Sequence, residues 1–174
     1  MFNTILIATD GSNHAYRALD VASDLAVKYQ AKLIILHVQM HGEVPTGFRQ
    51  MDQVEHASGT EKSAFSGLYN FPGNLTVAFT DIDPDVTEDH YFHFVGDAIL
   101  NDSKDKAKLM GVTNIQPMVS KGKSADQILQ VAENEKADLI VMGTRGLSDV
   151  KELLMGSVAS KVTQLSECPC LSVK

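Results

Sequence analysis

The stretch ADLIVMGTRGLSDVKELLMGS, residues 137–157, decides the fold because it joins a buried strand to a helix through a glycine-rich loop. Its first part, residues 137–143, is almost continuously apolar. Such a run is typical of a strand that is buried on both faces in a parallel sheet. Gly143 and Gly146 then open a loop, and Gly156-Ser157 stands where the next helix is expected to begin.

Further strands and helices alternate around this stretch. Strands are predicted at 4–9, 32–38, 114–120 and 169–174. Pro117 requires the third of these to lie near a sheet edge or at a bulge, and Pro169 places the last one at an edge. Four helices are predicted: one capped by Ser12 or Asn13, one from about Thr87–Tyr91 to Met110 with Gly111 as its C-terminal cap, one capped by Ser124, and one marked by Leu154, Val158, Val162 and Leu165.

This alternation predicts an α/β fold: a single-domain, doubly wound, five-stranded parallel sheet with helices on both faces. The domain is predicted to span 1–174, with an insertion at about 41–90. That segment carries three of the five prolines and five of the twelve glycines, and only LTVAFT, residues 75–80, is predicted there as a short strand. In such sheets ligands bind at the carboxyl ends of the strands, where the strand order reverses.

The composition excludes some classes of partner. The formal net charge of −7 argues against nucleic acid and anionic membranes, which both require basic surfaces. The two cysteines, Cys168 and Cys170, are too close for a disulfide framework, and the N-terminus shows neither a signal peptide nor a membrane span. These features predict a cytoplasmic protein.

The glycine-rich loop has two interpretations on physical grounds. It is either a turn before a capped helix or a phosphate site, in which helix N–H groups, the Ser157 hydroxyl and the Arg145 guanidinium hold the anion. The Walker and GxGxxG patterns are both absent. Glycine spacing alone leaves the two interpretations open.

The spacing Gly143-x2-Gly146-x9-Gly156-Ser157 resembles the ATP-binding pattern of the universal stress protein (UspA-like) family, which has an adenine-nucleotide α-hydrolase-like, Rossmann-like fold. The opening ILIATDGS, the second strand LIILHV and the ending ECPCLSVK are also similar to that family. The resemblance covers residues 1–40 and about 95–174. The longer segment at 41–90 departs from it.

The resemblance implies an ATP pocket, with Mg²⁺ or Mn²⁺ as a candidate ion on the phosphates. Asp10 would lie by adenine and ribose, and Val38 would contact adenine. Met142 and Gly143 would line the ribose side, and the rest of the loop would surround the phosphates. The implied cofactor-binding residues are Ala8, Thr9, Asp10, Val38, Met142, Gly143, Arg145, Gly146, Gly156, Ser157 and Val158. The alternatives are a turn role for Asp10 and core packing for Val38 and Met142.

Three functions remain open at this stage: a nucleotide-binding stress or signalling switch, a slow ATPase or self-kinase with Thr144, Ser148 or Ser157 as phosphate acceptor, and a protein-interaction module without nucleotide. No catalytic or metal-binding residue is assigned. Capping explains the acidic residues near His90 and His93 better than a metal does, packing explains Cys168 and Cys170, and Lys151 either reaches phosphate or is solvated. The resemblance further implies a homodimer that pairs near Leu171–Val173.

Overall fold

The computed structural model describes residues 1–39, 67–70, 76–79, 88–146 and 155–174, with the backbone alone at 67–70, 76–79 and 88–92. The strands in these ranges are β1 Thr4–Ala8, β2 Lys32–Gln39, β3 Gly67–Asn70, β4 Thr76–Phe79, β5 Ile115–Lys121, β6 Leu139–Gly143 and β7 Cys170–Val173. The helices are α1 Asn13–Tyr29, α2 Glu88–Leu109, α3 Ser124–Asn134 and α4 Ser157–Leu165.

Five of the strands form one parallel sheet in the order β5-β2-β1-β6-β7. This confirms the predicted α/β fold. From β1 the chain first builds the sheet outward through β2 to β5, and then returns to add β6 and β7 on the other side. The strand order therefore reverses between β1 and β6, and their carboxyl ends border the crevice where such sheets bind ligands.

The core has two halves, one on each face of the sheet. Side chains of Ile5, Ile7 and Val141 pack under α1 and α2, whereas Leu6 and Ile140 pack under α3 and α4. Because successive side chains of a strand point to opposite faces, a strand that is covered twice must be apolar throughout. The continuous apolar runs of β1, β2 and β6 meet this requirement.

Both strands that contain or follow a proline lie at an edge, as predicted. In β5 the Leu33 N–H donates to the Asn114 carbonyl at 2.9 Å, so even-numbered positions turn their backbone groups toward β2. The nitrogen of Pro117, which carries no hydrogen, therefore points away from β2, so no hydrogen bond between the two strands is lost. At the other edge the Ile140 N–H donates to the Pro169 carbonyl at 3.0 Å. Proline acts in this bond as the acceptor, so its lack of an N–H does not matter.

The helix ends agree with the sequence at two positions and differ at one. Ser12 caps α1, accepting the Ala15 N–H at 3.2 Å, and Gly111 follows α2 with φ +97°. Ser124 was predicted to cap α3, and this is wrong: Lys123 is the N-cap, and Ser124 is already helical. The turn at Gly122, where φ is +136°, brings the chain into the helix one residue early.

In addition to the main sheet, β3 and β4 form a separate antiparallel pair. β4 confirms the strand predicted at 75–80, whereas β3 was not predicted. The rest of the predicted insertion at 41–90 lies largely outside the described residues, as does Leu154 before α4. Within the described ranges, no helix has the length and apolar character needed to cross a membrane.

Candidate functional site

The end of β1 forms a tight turn that fixes Asp10. The Thr9 N–H donates to the Leu36 carbonyl at 2.9 Å, and Gly11 follows with φ +77°. Asp10 Oδ1 accepts the Ser12 N–H at 3.0 Å, the side-chain-to-backbone bond by which aspartate stabilises a turn. The turn role that the sequence left open for Asp10 is therefore real. It uses the Oδ1 oxygen of the carboxylate.

The second carboxylate oxygen of Asp10 lies against the glycine loop. A Cβ added at Gly146 would collide with Asp10 Oδ2, so glycine at this position lets the loop approach the carboxylate. The structure thus brings together two residues that are 136 positions apart and were predicted to share one site. Their contact joins the loops that follow β1 and β6.

Gly143 has a packing role that was not predicted. A Cβ at this position would lie 2.8 Å from His14 Cβ and 2.9 Å from the His14 carbonyl carbon. Gly143 therefore lets the first turn of α1 lie directly against the end of β6. This contact positions α1 and Asp10 relative to the loop, and it is compatible with the predicted place of Gly143 beside a ribose.

The two ends of the glycine loop are held together by main-chain bonds. The Gly156 N–H donates to the Thr144 carbonyl at 2.7 Å, and the Thr144 N–H donates to the Val173 carbonyl at 2.8 Å. Thr144 and Gly156 therefore lie side by side at the carboxyl end of β6. Ser148 and Lys151 belong to its part outside the described residues.

The N-terminus of α4 lies at the carboxyl end of β6, where Gly156 is bonded to Thr144. Gly156 is the N-cap and no side chain caps the helix, whose first main-chain bond runs from the Ser160 N–H to the Gly156 carbonyl at 2.9 Å. The N–H groups of Ser157, Val158 and Ala159 precede that bond and have no acceptor within the helix. Ser157 and Val158 are exposed, so this helix end is open to an anion.

Next to this helix end lies an apolar surface at the carboxyl edge of the sheet. It extends the core cluster under α3 and α4 and consists of Ala8, Val38, Met118, Met142 and Met155. Met142 is buried, whereas the other four are only partly buried. Core packing, the alternative for Val38 and Met142, is thus confirmed. The partly buried members leave some apolar surface uncovered at this edge, and this surface is called the apolar floor.

The backbone of Val38 has an open side above this floor. The Leu36 carbonyl accepts from Thr9, so the even-numbered residues of β2 direct their backbone groups toward β1. β1 ends at Ala8, whereas β2 continues to Gln39. The N–H and C=O of Val38 therefore point past the end of β1, and no main-chain partner among the described residues meets them.

A buried histidine lies on the opposite face at the same level. His37 Nδ1 is 3.0 Å from the Thr9 carbonyl oxygen, and the residue is 9% exposed. Burial is the main cause that lowers the pKa of His37, against the opposing effects of the Thr9 carbonyl and the Asp10 and Asp97 carboxylates. The place of His37 within a buried strand of the sequence indicates a core or pocket-edge histidine, and the structure adds its bond to Thr9, the residue before Asp10.

The other candidate chemistry involves histidines and cysteines. His93 Nδ1 lies 3.1 Å from Gln39 Nε2, and the described ranges contain no group of three or more His, Cys, Asp or Glu that could hold a metal. Cys168 and Cys170 are free thiols, and burial raises the pKa of Cys170, which disfavours its reactive thiolate.

Comparison with known proteins identifies the relatives of the chain. The model of the universal stress protein family matches residues 1–174. Universal stress protein YxiE of Bacillus subtilis (strain 168) is 36% identical over 174 residues, covering all of both chains. A universal stress protein of Thermus aquaticus is 31% identical over 177 residues, again with full coverage.

A solved structure adds a bound ligand. The crystal structure of a universal stress protein in complex with cAMP is 27% identical, has a TM-score of 0.62, and covers 99% of this chain and 97% of its own.

Proposed function

Because the chain belongs to the universal stress protein family, we propose that it binds an adenine nucleotide, ATP foremost, in the crevice between β1 and β6. Binding would order the glycine loop and so change a surface that a partner protein reads, as in a stress-response or signalling switch. The arrangement that supports this proposal is the open backbone edge of Val38 beside an apolar floor and a helix N-terminus.

The Val38 backbone provides a reason for adenine over guanine. Adenine presents an acceptor at N1 next to a donor at N6, which complement one N–H and one C=O of an extended residue. Guanine has an acceptor, O6, where adenine has the N6 donor, so its edge would oppose the Val38 carbonyl. The base would lie on the side chains of Ala8, Val38 and Met142.

The remaining predicted residues fit the sugar and the phosphates. Asp10 Oδ2, held against Gly146, would accept hydrogen bonds from ribose hydroxyls. The first-turn N–H groups of α4, the Ser157 hydroxyl and the Arg145 side chain would hold the phosphates. A Mg²⁺ or Mn²⁺ ion would be coordinated mainly by the phosphates, with few protein ligands.

The test of this site is direct binding with a matched pair of variants. Purified protein is titrated with ATP, AMP, cAMP and GTP, and denatured samples are searched for a nucleotide carried through purification. Ser157→Ala should weaken ATP binding by about tenfold, the effect of one hydrogen bond to a charged group. Ser160→Ala, one turn further along α4, should leave it unchanged.

The same titrations can reject the proposal. If wild-type protein binds none of the four nucleotides, or binds GTP as tightly as ATP, the site is wrongly identified. If cAMP binds and ATP does not, the adenine site stands and the choice of ATP is wrong. Phosphate release is measured in parallel. If it continues over multiple turnovers, the protein is a slow ATPase and not a switch.

We further propose that the protein is a cytoplasmic homodimer joined through β7. Among the described strands β7 has β6 as its one neighbour, and its Leu171 is 37% exposed. Edge strands with open backbone groups pair readily with a second copy across a two-fold axis. The free thiols of Cys168 and Cys170 fit a reducing compartment.

A further inference from the structure

We propose that His37 is a positioning residue that ends the β1–β2 ladder at Thr9 and so keeps the backbone edge of Val38 open for the base. The proposal deepens the adenine-nucleotide function proposed above and rests on it. His37 itself would not touch the nucleotide, because its side chain lies on the face of the sheet under α2.

The series of hydrogen bonds between β1 and β2 lacks its last member, the bond that would follow the one from Thr9 to Leu36. The Leu36 carbonyl accepts the Thr9 N–H, and in a parallel ladder the next rung would run from the Val38 N–H to the Thr9 carbonyl. In the part of the chain that is described, that rung is missing, and the Thr9 carbonyl is bonded by the His37 side chain instead. The imidazole thus takes the acceptor that would otherwise close off Val38.

The surroundings of His37 fix the ring in this role. A carbonyl oxygen can only accept, so Nδ1 carries the proton and donates a hydrogen bond to the Thr9 carbonyl. Gly96 of α2 leaves room for the ring, since a Cβ at that position would be 3.0 Å from His37 Cδ2. Burial keeps the imidazole neutral by lowering its pKa, although the Asp10 and Asp97 carboxylates oppose this. The ring therefore has one orientation and one tautomer.

The bond also reaches the rest of the site. Thr9 directly precedes Asp10, whose carboxylate lies against Gly146 of the glycine loop. Through one buried hydrogen bond, His37 sets both the end of β1 that carries Asp10 and the accessibility of Val38. Both groups are assigned to the nucleoside rather than to the phosphates, so loss of the bond should affect nucleoside recognition first.

The experiment compares two substitutions that branch at the same atom. His37→Asn keeps a donor near the place of Nδ1, and His37→Leu removes it. His93→Leu, in a histidine bonded to Gln39 and not to Thr9, is the matched control. Amide hydrogen exchange of Val38 is followed in nucleotide-free protein, and adenosine and ATP affinities are measured alongside.

In wild-type protein the Val38 amide should exchange at least about tenfold faster than the laddered Leu36 amide. In His37→Leu the Thr9 carbonyl is released, so the Val38 amide should become protected and adenosine affinity should fall by about tenfold, the effect of one lost hydrogen bond. His37→Asn and His93→Leu should retain wild-type exchange and affinity.

Two outcomes overturn the role of His37: a Val38 amide that is already protected in wild type, or one that exchanges faster in His37→Leu together with its neighbours, as loosened packing would produce. Failure of the wild type to bind any nucleotide instead overturns the proposed function. The exchange measurement is made without nucleotide, so it still tests the ladder in that case.

Discussion

At the scale of single residues, two glycines of one motif have different tasks. A Cβ at Gly143 would meet the backbone and Cβ of His14, whereas among the described residues a Cβ at Gly146 would meet the end of the Asp10 side chain. Backbone in a helix cannot move aside without displacing α1, but a carboxylate can rotate. The motif therefore combines a packing requirement with a binding requirement, which glycine spacing in the sequence could not separate because both contacts are distant along the chain.

The first prediction follows from this contrast. Gly143→Ala should lower the free energy of unfolding by about 2 kcal/mol, as expected when a methyl is forced into a packed region. Gly146→Ala should change stability by less than about 0.5 kcal/mol but weaken ATP binding by about tenfold, because it displaces the Asp10 carboxylate. Urea unfolding and calorimetric titration of both variants check this, and equal losses of stability would contradict it.

The second prediction concerns His37 and pH. Burial lowers the native pKa of His37 below 6.5, so near pH 6 the unfolded chain binds more protons than the native one. The stability that neutral His37 contributes is therefore complete above pH 6.5 and is lost as the pH falls through the lowered native value. The Asp10 and Asp97 carboxylates, which favour the imidazolium, limit the size of this loss.

Wild-type protein should accordingly lose more stability on acidification than His37→Asn, by up to about 1.4 kcal/mol for each tenfold difference in proton affinity of His37 between the unfolded and the native state. Urea unfolding of both proteins from about pH 8 to about pH 5.5 measures the difference, and the shared titration of other groups cancels in it. Two parallel pH profiles would show that His37 does not titrate differently on folding.

At the scale of elements, the buried strands were predictable because a strand covered on both faces must be apolar along its whole length. Pro117 and Pro169 also indicated the edges correctly. β3 was not predicted because its four residues show no strand pattern of their own, and its strand structure depends on pairing with β4. The cap of α3 was assigned one residue late because the turn at Gly122, and not the hydroxyl of Ser124, decides where that helix begins.

The third prediction concerns the proposed dimer. The Pro169 and Val173 carbonyls accept bonds from the β6 side, so odd-numbered positions of β7 face β6, and Ser172 turns its N–H outward. Ser172→Pro should therefore produce a monomer while leaving the fold intact, because it removes only a donor at the edge. Sedimentation equilibrium measures the mass. A monomeric wild type, or a dimeric Ser172→Pro variant, would reject β7 as the interface.

At the scale of the whole molecule, the site joins elements from both ends of the chain. Asp10 and Val38 come from the first 39 residues, and the loop from Gly143 to Ser157 comes from the last 32. The sequence placed these residues in one crevice through the alternation of strands and helices and through a family resemblance. It could not show the open edge of Val38, because this edge depends on where β1 stops relative to β2 and on a side chain from the other face.

The fourth prediction follows from this joining of distant elements. A nucleotide that contacts both β1–β2 and the α4 end binds only the folded chain, so it should stabilise the whole domain. Free ATP at about 100 times its Kd should add about 2.7 kcal/mol to the free energy of unfolding, which for a chain of this size raises Tm by about 5–10 °C.

Differential scanning calorimetry with ATP, and with GTP as the mismatched base, measures this shift. GTP should give little change, and Ser157→Ala should need about tenfold more ATP to reach the same Tm. If ATP and GTP raise Tm equally, the stabilisation comes from the phosphates alone, and the Val38 edge does not select the base.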